Sequence, residues 1–381
     1  MLWLYWRRIR LMVAGFAIAV LLAAALALLA STVGGARRPV ATRGAGRLPD
    51  ALPLRRGPVT DPDAAKVRRG LVLMNAAATA CRTVAYHGLQ MVAWSASGGS
   101  DAYLIEVWHR AGQSELAAGD DDMDDHVPGT SAGGDAAVGV LSLSPRMLGL
   151  MRANYLIEYA GSGSSSSRPA LIVAVWRHDG TLAARYWLDQ VTGLPLRREV
   201  FDSRGRLVNE GAFIDLEIGA KGIGRLPAAS ARAWSTQLSA RRLPALRKRG
   251  WTVPGMLASD LTLVGLTTTA TRSGPILDAS YSDGLSVISV FMQRGQLPAS
   301  LPGWQRAMVS GDQVYLTQPS GLGERGLAWS SGGYVYTVIA DAPQDTVTAV
   351  VAQLPHNQHD GFWVRVGLGL KRIGSWFDPF G

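Results

Sequence analysis

Between Pro169 and Glu217 the chain alternates apolar and polar residues in four successive runs, and each interruption carries a glycine. The runs are Leu171–Arg177, Leu182–Asp189, Leu194–Asp202 and Leu207–Glu217, parted by turns ending at Gly180, Gly193 and Gly205. A period of two marks a strand with one buried face, and glycine supplies the positive φ of a tight reversal. Connections this short join only antiparallel neighbours, because a parallel crossover takes a dozen residues or more. The stretch is therefore an antiparallel meander. Its content of Trp176, Tyr186, Trp187, Phe201 and Phe213 requires a cover over one face.

The cover expected from the pattern is a helix. Asp61 reads as its N-cap with Pro62 in the first turn, and Val67, Leu71, Met74, Ala78 and Cys81 form one stripe at three- and four-residue steps. Thr83–Trp94 and Ala102–Arg110 read as a hairpin, and Ser144-Pro145 starts a short helix through Met151. Residues 117–139 and Ser162–Ser167 read as loops. Residues 61–220 are thus expected to form a helix packed on a curved sheet, and 221–252 a basic linker. Residues 253–355 form a second, smaller α+β unit. Its strands are Leu261–Thr269, Ile276–Tyr281, Ser286–Met292, Gln313–Thr317, Gly326–Trp329 and Tyr334–Ile339, and its helix is Asp341–Leu354. The fold class is α+β.

Leu11–Ala30 is an uninterrupted run of uncharged, mostly apolar residues. As a helix it spans about 30 Å, the thickness of the hydrocarbon core. Arg7, Arg8 and Arg10 precede it, and positive flanks stay in the cytoplasm, so everything downstream is expected outside. Residues 1–10 are then a cytoplasmic flank, 11–30 a transmembrane signal anchor and 31–60 a flexible stalk. A cleaved signal peptide is the competing reading, with the same consequence for location. At the other end, 356–381 reads as an amphipathic tail in which Phe362, Trp363 and Trp376 suit a membrane interface. Docking of that tail on the second unit, or on a partner, satisfies the same pattern.

The net charge of +9 is concentrated outside the folded units. Residues 1–60 hold nine Arg against one acid, and 221–251 hold eight basic residues and no acid, whereas 61–220 hold 14 basic against 19 acidic residues. Nucleic-acid binding needs a basic stripe on a folded face, so it is not expected. A basic segment near a bilayer suits anionic lipid or an acidic partner.

Patterns that carry chemistry elsewhere fail here on context. The only cysteine, Cys81, lies on the helical stripe and reads as a small buried hydrophobe. Gly129-Thr130-Ser131-Ala132-Gly133 has nucleophile-elbow spacing but sits in a Gly-rich loop after Pro128. Gly321-Leu322-Gly323-Glu324-Arg325-Gly326 has dinucleotide-binding spacing but runs into a strand, without the helix whose N-terminus would face a pyrophosphate. His356, His359 and Asp360 lack an evident further metal ligand. The aspartates at 120, 121, 122, 124 and 125 lack the alternation of a calcium loop. No catalytic residue, metal or cofactor is expected.

Three stretches together resemble a known family. They are Leu71–Gly88, with its Tyr86-His87-Gly88 end; Tyr186–Gly205, with Asp189, Gly193, Arg197, Arg198 and Asp202; and Gly284–Phe291. They resemble the RseB/MucB family of sigma-factor regulatory proteins over roughly residues 60–355. The resemblance implies a half-barrel of antiparallel strands with covering helices, similar to the lipoprotein carriers LolA and LppX, followed by a smaller RseB-type C-terminal domain. It also implies binding to the ectodomain of a transmembrane anti-sigma factor, relieved by a lipidic or lipoprotein signal. A lipid or lipoprotein carrier without signalling is the alternative. A curved sheet under a helix can leave an apolar cleft, in which an acyl chain gains about 0.8 kcal/mol per buried methylene. Trp94, Trp108, Trp176, Tyr186 and Phe213 are the candidates for its lining.

Overall fold

The computed structural model describes residues 63–96, 99–112, 116–119, 141–219, 236–258, 260–271, 273–298, 301, 304–309, 312–317 and 325–356. The expected anchor, stalk, acidic loop, Ser131 loop and C-terminal tail, with Phe362, Trp363 and Trp376, lie outside the described residues. Among the described residues no helix is long and apolar enough to cross a membrane.

The first described helix is α1, Ala64–Thr83. Its N-cap is Asp63, not Asp61: the Asp63 carboxylate accepts from the amides of Ala65 and Lys66, which satisfies two of the donors that open a helix. Met74, Ala78 and Cys81 of the predicted stripe are buried, with Ala77 beside them, and Val67 and Leu71 are half-buried. Gly70 lies so close to the strand Leu156–Ser165 that a Cβ would come within 2.7 Å of the Glu158 carbonyl carbon, which lets the helix seat on that strand.

Among the described residues eight antiparallel strands make the first sheet. They are β1 (Tyr86–Ala96), β2 (Gly99–His109), β3 (Leu116–Gly119), β4 (Leu156–Ser165), β5 (Arg168–Trp176), β6 (Leu182–Asp189), β7 (Pro195–Phe201) and β8 (Leu207–Ile218). They lie in the order β3-β2-β1-β8-β7-β6-β5-β4. The meander stands within a residue or two at most boundaries, and Gly180, Gly193 and Gly205 all take positive φ. A second helix, α2 (Pro145–Asn154), is capped by Ser144 as expected. Met74, Met147 and Met151 meet Tyr86, Val173, Tyr186, Leu188 and Phe213 in one core between helices and sheet.

Parts of two expected loops are strands. Ser162–Ser165 ends β4, in register with β5 from Leu156–Trp176 to Ser165–Arg168. The hairpin turns on Ser166 and Ser167, both at positive φ, where Asn-Gly would be the usual signal. Pairing along β5 overrides the weak strand preference of a Gly/Ser run. Likewise, Leu116–Gly119 is not loop but β3, held by pairing with β2.

Among the described residues the second sheet has nine antiparallel strands: β9 (Thr236–Gln237), β10 (Met256–Leu257), β11 (Leu261–Thr271), β12 (Gly274–Ser282), β13 (Val287–Arg294), β14 (Trp304–Val309), β15 (Asp312–Thr317), β16 (Arg325–Ser331) and β17 (Tyr334–Asp341). The order is β10-β11-β12-β13-β17-β16-β15-β14, with β9 beside β11. The later part of the basic stretch belongs to this unit. There β9, a short helix α3 (Leu243–Lys248) and Trp251 build onto its core, with Leu238, Leu243 and Leu246 packed against it. The closing helix, α4 (Gln344–Gln353), buries Val347, Val350 and Val351.

Candidate functional site: the junction of the two sheets

The five residues expected to line a cleft do not share one place. Tyr186 and Phe213 are buried in the core beneath α1 and α2, and Trp94 packs half-buried against it. Trp176 is buried in a separate cluster with Ala174, Leu182 and Phe201. Trp108 stacks on His87 at 5.4 Å, and His87 Nε2 lies 2.6 Å from Glu106. The His356 ring is a structural group of the second core: Nε2 lies 2.6 Å from the Val351 carbonyl, and the ring stacks on Trp329. Among the described residues no group of His, Cys, Asp and Glu has the arrangement of a metal site.

What the fold does bring together is the second and third of the resembling stretches. The β12–β13 turn, Asp283–Ser286, leaves the second sheet and enters the first. Asp283 ties the turn locally, its Oδ1 accepting from the amides of Leu285 and Ser286. Gly284 has φ +99, and a Cβ there would meet Met151 N and lie 2.6 Å from Met147 O. Only glycine can take that φ without strain and lie this flush on α2. Leu285, 5% exposed, is counted in the core of the first sheet, not its own.

Arg198 on β7 is the polar counterpart. Its Nη2 donates to the Leu285 carbonyl, and its Nη1 lies 3.8 Å from Asp341 Oδ2 at the end of β17. The Tyr186 hydroxyl is also in hydrogen-bonding reach. Burial alone would lower the guanidinium pKa, but Tyr186, Asp341 and Asp283 outweigh it and the charge is retained. Burial pushes the Asp341 carboxyl up against the opposing pull of Arg198, and burial also pushes the Tyr186 hydroxyl up. A buried cation of this kind is tolerated only when paired and hydrogen-bonded. Here two of its partners come from the other sheet.

Further cross-links ring the junction. Tyr155 donates to Asp283 Oδ2 at 2.7 Å, and Asn154 donates to the Asp283 carbonyl at 3.0 Å. Asn209 donates to Asp341 Oδ1 at 2.9 Å, and Ser203 donates to Asp345 at the start of α4. Burial, and then Asp283, push the Tyr155 hydroxyl well above its ordinary range. The sequence offered Tyr186, Arg198 and Gly284 inside the quoted stretches. Asp341, Asp345, Asn154 and Asn209 carried no signal of their own, since each merely ends or interrupts an element.

On the face of β6–β8 away from the helices, Trp187 lies under Arg197 at 4.7 Å, and Arg197 bridges Glu199 and Glu210 at 2.7 and 3.0 Å. Burial raises the Glu199 carboxyl, with Arg197 and Arg185 opposing. The two guanidiniums and two carboxylates balance one another.

Comparison with known proteins locates the chain. Residues 130–245 match the family model described as the MucB/RseB N-terminal domain. The sigma factor AlgU regulatory protein MucB of Pseudomonas aeruginosa is 24% identical over 204 residues, covering 52% of this chain and 60% of that protein. The alignment thus spans less than two thirds of the relative's length. A crystal structure of MucB in complex with MucA(peri) is 18% identical with a TM-score of 0.42, covering 75% of this chain and 99% of that one. A MucA/MucB complex from Pseudomonas aeruginosa is 20% identical with a TM-score of 0.41, covering 76% and 99%. The matched segment takes in β4 to β8, with Tyr186 and Arg198, and over that part the chain is similar to the RseB/MucB family.

Proposed function

We propose that this protein is an extracytoplasmic regulator, not an enzyme, held to the membrane by residues 11–30. Its partners are the ectodomain of an anti-sigma factor and a lipidic ligand, and through them it controls an envelope-stress sigma factor. Its first sheet with α1 and α2 is read as a LolA-like half-barrel, and the second as the smaller RseB-type domain. The observation that carries this reading is the junction. Residues of two family-like stretches, Tyr186 with Arg198 and Gly284 with Leu285, interlock two separately cored units. A binding protein built of two interlocked bodies can report one ligand to another by changing how they sit. The relative's name ties it to a sigma factor, and MucB is found crystallised with a periplasmic piece of MucA.

The test is in-membrane crosslinking of the full chain, followed by mass spectrometry of captured proteins and extractable lipid. A single-pass membrane protein whose ectodomain is captured, and whose sigma factor changes activity on deletion of this chain, is the expected result. Bound lipid with no protein partner would favour the carrier reading. A reporter fused after Glu217 that works only in the cytosol would end both.

A further inference from the structure

We infer that the basic arch joining β9 to β10 is a docking surface for an anionic bilayer, which it meets at the lipid headgroups. The inference rests on the membrane location in the proposed function and adds the face that the second unit turns to the membrane. Both ends of the arch are strapped to one sheet edge: β9 pairs with Thr267 and Thr268 of β11, and β10 with Leu261 and Thr262. Between them run a 3-10 turn, Ala240–Arg242, and α3. Leu238, Leu243 and Leu246 pack on the second core, which turns the other side chains outward. Arg241, Arg242, Lys248 and Arg249 are all exposed. Arg294, exposed at the end of β13, joins them by donating to the Arg249 carbonyl at 2.9 Å.

These cations have no counter-charge. Residues 221–251 contain no acid, and among the described residues no ion pair reaches any of the five. Local structure does not account for them either. Arg247 is the one spent on the fold, its Nε and Nη2 donating to the Val253 carbonyl at 3.1 and 2.8 Å. Arg242 stands at the N-cap of α3 with no capping hydrogen bond, the end of a helix at which a cation is least favoured. Like charges this close repel, and negative charge from outside relieves them.

The shape of the arch favours a bilayer over a peptide. An extended peptide needs a free strand edge, and a helical one needs an apolar groove. Here the β11 edge is already taken by β9 and β10, and the apolar side of the arch is spent on its own core. What remains is a row of long cations strung over about 10 Å of helix axis, which suits a diffuse layer of negative headgroups. Each such cation shifts partition onto an anionic surface by about fivefold, and the proposed anchor keeps the arch close to that surface.

The experiment reconstitutes the full chain in phosphatidylcholine vesicles with and without phosphatidylglycerol. Cys81 is buried, so a fluorophore on Ala245→Cys, an exposed position of the arch, reports its approach to a quencher carried on the headgroups. Quenching should be several-fold stronger with phosphatidylglycerol. It should fall to the phosphatidylcholine level in high salt, and also when Arg241, Arg242, Lys248 and Arg249 are all replaced by Gln. Equal quenching in both membranes, or quenching that survives the four replacements, overturns the inference. So does a label that ignores phosphatidylglycerol but responds to a Glu-rich peptide, which would assign the arch to a protein partner. Retention in phosphatidylcholine vesicles after an alkaline wash reports residues 11–30 alone. Loss of that retention would end the anchor, and the effect of phosphatidylglycerol on flotation would still decide the arch.

Discussion

Arg198 donates to the carbonyl of Leu285, a residue 87 positions later in the chain and on the other sheet. Leu285 in turn buries its side chain in the core of the sheet that carries Arg198. The two units thus exchange a polar contact and an apolar one at a single point.

Replacing Arg198 by methionine is expected to destabilise the chain by about 1–3 kcal/mol, the usual cost of leaving a buried acceptor such as the Leu285 carbonyl unsatisfied, while the part-exposed Asp341 can hydrate. Urea unfolding should also split into two transitions as the units uncouple. Arg198→Lys should recover less than half of the loss, because an ammonium cannot reach Leu285 and Asp341 with the fork of a guanidinium. An unchanged single transition in Arg198→Met would remove the junction from the account.

Two glycines give opposite expectations. Gly284→Ala places a Cβ against Met147 and Met151 at a positive φ and should lose about 2–4 kcal/mol. Gly149 lies inside α2 with open space at its Cβ position, so Gly149→Ala should gain about 0.5–1 kcal/mol. Thermal midpoints of the two variants, measured side by side, decide it.

Asp278 on β12 should make the protein less stable as pH rises. Burial pushes its carboxyl up to about 6, against the hydrogen bond from Thr267, and its Oδ1 makes no hydrogen bond. The folded state keeps this proton longer than the unfolded chain. Stability from this residue is therefore whole below about pH 4 and declines by roughly 3 kcal/mol as pH climbs past 6. Asp278→Asn should raise the urea midpoint at neutral pH and leave it nearly unchanged at about pH 4. Equal effects at both would show that charge is not the cause.

Asp189 titrates in the other sense. Burial pushes its carboxyl up, but hydrogen bonds from Arg168 and from the hydroxyl and amide of Thr192 hold it below the ordinary carboxylate range. Its contribution is present above the unfolded pKa and is lost as pH falls through the folded one. Asp189→Asn should therefore weaken the protein at neutral pH and approach wild type below about pH 3. A deficit that persists unchanged into acid would point to turn geometry instead.

Much of the fold was legible where local chemistry and tertiary pairing agree. Gly180, Gly193 and Gly205 announced the turns, and the stripe Met74, Ala78 and Cys81 announced the covering helix. It failed where pairing overrides propensity: Ser162–Ser165 has no strand signal of its own, yet lies in register with β5. The aromatic residues offered as a cleft lining were chosen by size, and size does not say which face of a strand a residue takes. Val175 and Trp176 are neighbours in sequence and belong to different clusters.

By itself the sequence determined two antiparallel sheets, the helix over the first and the stretches in which the chain resembles a known family. Those follow from periods of two and 3.6 and from turn residues, all set within about ten positions. Only the tertiary structure decided that Leu285 would lie in the other unit's core and that Arg198 would find Asp341. Those contacts join residues far apart in the chain, and their stabilisation comes from desolvated charge and close packing, which no local pattern records.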